Sequence, residues 1–91
     1  SIADLLLHKS LRIKKGESIF IEVMDTDASE LVNILHREAI KAKASRVRIW
    51  WNTDDIRANI LQHASDKQAN IALDGIESIV AECDTYIKLK S

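Results

Sequence analysis

The feature that most constrains this chain is the apolar run Ile19, Phe20, Ile21 and Val23, between Ser18 and Met24. A strand sends successive side chains to opposite faces, so a run this apolar needs cover on both. A chain of 91 residues closes one modest core and no second one. The expectation is one α/β domain over residues 1–91 with this strand at its centre.

Two further strands follow, and each looks like an edge. In Arg46 to Trp51, Val47, Ile49 and Trp51 alternate with Arg46, Arg48 and Trp50, so one face reads as dry and the other as mixed. In Thr85 to Lys90, Ile87 and Leu89 share a face, while Tyr86, Lys88 and Lys90 share the other; lysines there blunt an exposed edge. Helical patterns fill the gaps. Ile2, Leu5, Leu6 and Leu7 suit a short opening helix over Ile2–Leu11. Asp27 and Glu30 have capping-box spacing ahead of Leu31, Val32, Leu35, Ala39 and Ala42. Asn52 to Asp55 offers caps for a helix carrying Ile56, Ile60 and Leu61. Ser65 and Gln68 make a second capping box, followed by the stripe Ala72, Leu73, Ile76, Ile79, Val80 and Cys83, with Gly75 inside it.

Strands alternating with helices imply parallel βαβ units with right-handed crossovers. With the doubly apolar strand central, the order is 2-1-3. The two crossovers then run in opposite directions and place helices on both faces. The predicted architecture is a small doubly wound three-stranded parallel sheet.

Composition removes several function classes. Thirteen basic residues against fourteen acidic ones leave a net charge of −1, so no global field draws the chain to nucleic acid or an anionic membrane. A lone cysteine, Cys83, forms no internal disulfide, and no run of eighteen apolar residues is present. The expected setting is reduced and cytoplasmic. No phosphate-binding glycine motif follows the first strand, so dinucleotide binding is unsupported.

Ligands of open α/β sheets sit beyond the carboxyl ends of the strands, here Asp25, Thr26 and Asp27 and then Asn52, Thr53, Asp54 and Asp55. Acids gathered there suit Mg²⁺, but they also suit helix caps, which is the reading preferred. His8, His36 and His63 lack the pairing of a zinc site, and Cys83 on an apolar stripe reads as a small hydrophobe. Arg46, Arg48, Trp50, Tyr86, Lys88 and Lys90 share one sheet face, which suits a platform for single-stranded nucleic acid. Cover by helices, with long cationic stems lying along the face, is the expectation preferred. A surface of this kind left bare also suits contact with another domain.

One ordered set of residues resembles a known family. Leu11-Arg12-Ile13-Lys14-Lys15-Gly16-Glu17-Ser18-Ile19-Phe20-Ile21 is similar to the opening of thermophilic-type aminopeptidases, the aminopeptidase T and S family. Leu31-Val32, Glu38-Ala39, Ala42-Lys43-Ala44, Val47-Arg48-Ile49-Trp50, Asp54, Arg57 and His63-Ala64-Ser65 follow at similar spacing, and Cys83-Asp84-Thr85-Tyr86-Ile87-Lys88-Leu89 closes the set. Lys43 stands where the family usually carries glycine. The resemblance implies a two-domain metallopeptidase with two divalent metal ions, such as Zn or Co, held in a carboxyl-terminal domain. Residues 1–91 would be its non-catalytic amino-terminal scaffold, with that catalytic domain as partner, peptides as substrate and a homodimer as an option. No position here matches a catalytic motif, so the expected catalytic, cofactor-binding and metal residues of this chain are none. The alternative is a freestanding flavodoxin-like binding module, motivated by the acidic strand ends.

Overall fold

Gly16 adopts the left-handed region, with φ at 87°, and so turns the backbone into the first strand. The computed structural model describes residues 13–90, so the helix expected over Ile2–Leu11, with His8, lies outside the described residues. The elements are β1 (Ser18–Val23), a 3₁₀ turn (Thr26–Ala28), α1 (Ser29–Lys41), β2 (Arg46–Trp51), α2 (Asp54–His63), α3 (Asp66–Ile71), α4 (Ile76–Glu82) and β3 (Thr85–Leu89). The sheet has the order β2-β1-β3, parallel throughout, with Ile21 level with Ile49 on one side and Ile87 on the other. The expected α/β sheet with β1 at its centre is what forms.

The two faces of β1 are built differently. Ile19, Ile21 and Val23 meet Val32, Leu35 and Ala39 of α1 and Ile87 of β3 in one apolar cluster. Those α1 positions fall on one side of the helix because three or four residues make a turn. Phe20 and Glu22 point the other way. Phe20 lies between Trp50, at a ring-centroid distance of 6.3 Å, and Tyr86, at 5.8 Å. Ile79 and Cys83, at the α4 side, line a cleft of about 30 Å³ with Phe20 and Arg48.

The helices depart from the sequence pattern at three places. The capping box expected at Asp27 and Glu30 does not form: the Asp25 carboxylate accepts from the Asp27 N–H at 3.0 Å and opens a 3₁₀ turn, and α1 follows with no side-chain cap. The stripe from Ala72 to Cys83 is not one helix. α3 ends at Ile71, residues 72–75 form a turn in which Gly75 takes φ 82°, and α4 begins only at Ile76, leaving Leu73 exposed. Cover of the second sheet face is also thinner than expected, because α2, α3 and α4 contain no buried residue, and Arg46, Arg48, Tyr86 and Lys88 stay exposed. The capping box at Ser65 and Gln68 does form, with both hydrogen bonds present.

The end of α1 carries a side chain in an unusual place. The Lys43 N–H donates to the Ile40 carbonyl and the Ala44 N–H to the Ala39 carbonyl, a Schellman ending whose last turn needs a left-handed residue. Lys43 takes that position at φ 67°. For a residue with a Cβ this costs about 1–2 kcal/mol, which is why glycine is common there. The Lys43 carbonyl accepts from the Gly16 N–H at 2.9 Å, tying this turn to the entry of β1.

Candidate functional site

The carboxyl ends of β1 and β2 bring together Met24, Asp25, Thr26, Asp54 and Asp55 around an open cleft of about 190 Å³. Each strand end passes straight into a helical turn, so polar residues are needed to satisfy the first N–H groups. Asp25 opens the 3₁₀ turn, and Thr53, itself buried, accepts from the Ile56 N–H at 3.5 Å to open α2. Asp54 pairs with Arg57 one turn on, and the same guanidinium donates to the Asn52 carbonyl. The preferred cap reading therefore describes Asp25 and Thr53, and Asp54 is held in an ion pair. Asp27 and Thr26 are exposed on the 3₁₀ turn.

The sequence reading passed over Glu22, the buried acid of β1. Its side chain faces Phe20's side of the sheet, where it is 5% exposed. Tyr86 donates its hydroxyl to one carboxylate oxygen, and Asn52 donates its amide to the other at 2.8 Å. Burial alone would push the Glu22 carboxyl up; the Asn52 and Tyr86 hydrogen bonds, with the positive charges of Lys88 and Arg57, outweigh burial and hold it below its ordinary value. The same bond keeps the proton on Tyr86, whose pKa is pushed up to about 12 by the Glu22 hydrogen bond first, then burial and the Glu22 charge. A lone carboxylate in an otherwise apolar strand was the available signal. Its partners, 30 and 64 residues away, were not.

The other candidates stay apart. His36 lies half-buried on α1 and His63 exposed at the end of α2. Cys83 is half-buried and donates its thiol hydrogen to the Val80 carbonyl at 3.1 Å. Among the described residues no three of His, Cys, Asp and Glu gather closely enough to hold a metal ion. The donor set here does not fit a two-metal centre, which needs several carboxylate and imidazole ligands around ions about 3.5–4 Å apart. Also among the described residues, no helix is long and apolar enough to cross a membrane.

A comparison with curated proteins gives no match. The family model described as thermophilic metalloprotease (M29) matches residues 1–91, the full length given, and spans the strands, the Schellman turn and the Glu22 network alike. The chain belongs to the thermophilic metalloprotease (M29) family.

Proposed function

We propose that residues 1–91 are a non-catalytic amino-terminal scaffold domain of a metal-dependent aminopeptidase, one that removes amino-terminal residues from peptides. The observation that supports this best is the contrast between a metallopeptidase family match over residues 1–91 and a donor set, among the described residues, that does not fit a two-metal centre. Peptide binding and hydrolysis then belong to a carboxyl-terminal catalytic domain of the same chain, and this domain is its support. The free thiol of Cys83 agrees with a cytoplasmic setting.

Residues 1–91 alone should release no product from amino-acid anilides with added Co²⁺ or Zn²⁺, whereas the chain extended along its gene should do so. Metal-dependent turnover by residues 1–91 that vanishes in His36→Ala or His63→Ala overturns the proposal. So does a stop codon directly after Ser91. The second reading, a freestanding binding module, is favoured only by the acidic cleft at Asp25, Asp54 and Asp55. Calorimetric heat with Mg²⁺, lost in Asp25→Asn, would decide for it.

A further inference from the structure

The net charge of −1 is an average over two opposed poles. Asp25, Asp54 and Asp55 surround the cleft at the carboxyl ends of β1 and β2. At the amino ends the sign reverses. The Gly16 N–H donates to the Lys43 carbonyl and the Ser45 N–H to the Glu17 carbonyl, so the turn at Lys14 and Lys15 lies beside the turn at Lys43. β2 leaves from that second turn, and the strand period puts Arg46, Arg48 and Trp50 on one face. Lys14, Lys15, Lys43, Arg46 and Arg48 are all exposed, and Trp50 is half-buried at the end of the row.

These cations are not neutralised locally. Among the described residues the cations held in ion pairs are Arg37, Lys41 and Arg57, and none of them belongs to the row. Two acids of this end are engaged elsewhere. Glu17 accepts from the Lys14 N–H and the Thr85 hydroxyl, and Asp84 accepts from the Ser18 N–H. Glu82 is the exception, since it lines the small cleft beside Arg46 and Arg48. Close helical cover would have laid the arginine stems along the sheet. Because α2, α3 and α4 bury none of their residues, both arginines stay exposed instead.

We propose that this row binds single-stranded nucleic acid, with phosphates on its five cations and one base stacked on Trp50. Attraction to the phosphate backbone supplies affinity without sequence preference, and a ring at the end of the row adds stacking, which any base can provide. A duplex fits less well, because its bases are already stacked on one another and do not reach the ring. The acidic pole repels the strand and so fixes which end of the sheet it meets. Five exposed cations on adjoining segments thus act together although the whole chain carries almost no net charge. The inference is independent of the peptidase reading.

Fluorescence anisotropy of a labelled deoxythymidine oligonucleotide should show saturable binding to this chain at low salt. With a slope of roughly −0.7 for each phosphate contacted, affinity should fall about a hundredfold between about 50 and 200 mM salt. Arg46→Gln combined with Arg48→Gln should weaken binding and make that slope shallower by about 1.4. Glu82→Gln should tighten binding by removing the opposing charge. In Trp51→Phe, Trp50 is the one tryptophan left, and its emission should be quenched as the oligonucleotide binds. Circular dichroism confirms that each variant is folded. No binding at low salt overturns the proposal, as does a salt slope unchanged in the double arginine variant. An unquenched Trp50, or tighter binding to phosphatidylserine vesicles than to the oligonucleotide, does the same.

Discussion

The two faces of β1 are alternate residues of one strand, yet they hold together by different physics. Ile19, Ile21 and Val23 are buried by side chains of α1 and β3 that carry no polar atoms. Phe20 and Glu22 are buried as deeply, but by aromatic rings and a hydrogen-bonded carboxylate under helices that contribute no buried residue of their own. The first face tolerates only shape; the second depends on protonation as well. A sheet can thus be dry on one side and titratable on the other.

The largest effects test whether the second face is packed as tightly as the first. Phe20→Ala should cost about 3–5 kcal/mol and Leu35→Ala about 2–5 kcal/mol, read from urea unfolding midpoints. If Phe20→Ala costs markedly less than Leu35→Ala, the aromatic face is loosely filled and the comparison fails.

Protonation separates the faces next. The lowered Glu22 value means its stabilisation is present above the ordinary carboxylate range, near 4.5, and is lost as pH falls through the lower native value. The raised Tyr86 value has the opposite sign: its stabilisation is complete below about pH 10 and is lost as pH rises towards about 12. Melting temperatures of the wild type and of Tyr86→Phe should therefore converge between those alkaline limits, and Glu22→Gln should flatten the acid limb. Parallel curves for all three proteins would remove the titratable face from the account.

Lys43→Gly should raise stability by about 1 kcal/mol, through relief of the left-handed lysine offset by extra freedom of the unfolded glycine. A loss instead would mean that the lysine stem shields the α1 end. The smallest effect is expected at Leu61, which is 88% exposed on α2. Leu61→Ala should change stability by less than about 0.5 kcal/mol, and a larger loss would reveal cover on α2 that the fold lacks.

Much of the fold was legible because one strand could be satisfied in only one place. Four apolar residues in β1 demanded the centre, and alternation in β2 and β3 placed those strands at the edges. What stayed hidden was decided at a distance or by a single dihedral. The spacing from Ala72 to Cys83 is helical throughout, and periodicity does not register that Gly75 adopts a positive φ between two helices. Asp25 and Asp27 are equally good caps on paper, and the 3₁₀ turn chose the earlier one. Glu22 is an acid among hydrophobes until Asn52 and Tyr86 arrive from other elements to complete it.

The order β2-β1-β3 also sets the timetable of folding. The Ser18 N–H bonds to the Asp84 carboxylate across 66 residues, and β3 is made after the other two strands of this sheet. Synthesis proceeds at roughly 5–20 residues per second, so a nascent β1 waits on the order of several seconds, with one sheet edge unpaired, before its second neighbour leaves the ribosome. Contacts this distant in sequence also close slowly once available. During that interval Phe20 lacks Tyr86, Glu22 lacks its hydroxyl donor, and the strand that organises the domain is the one most in need of a chaperone.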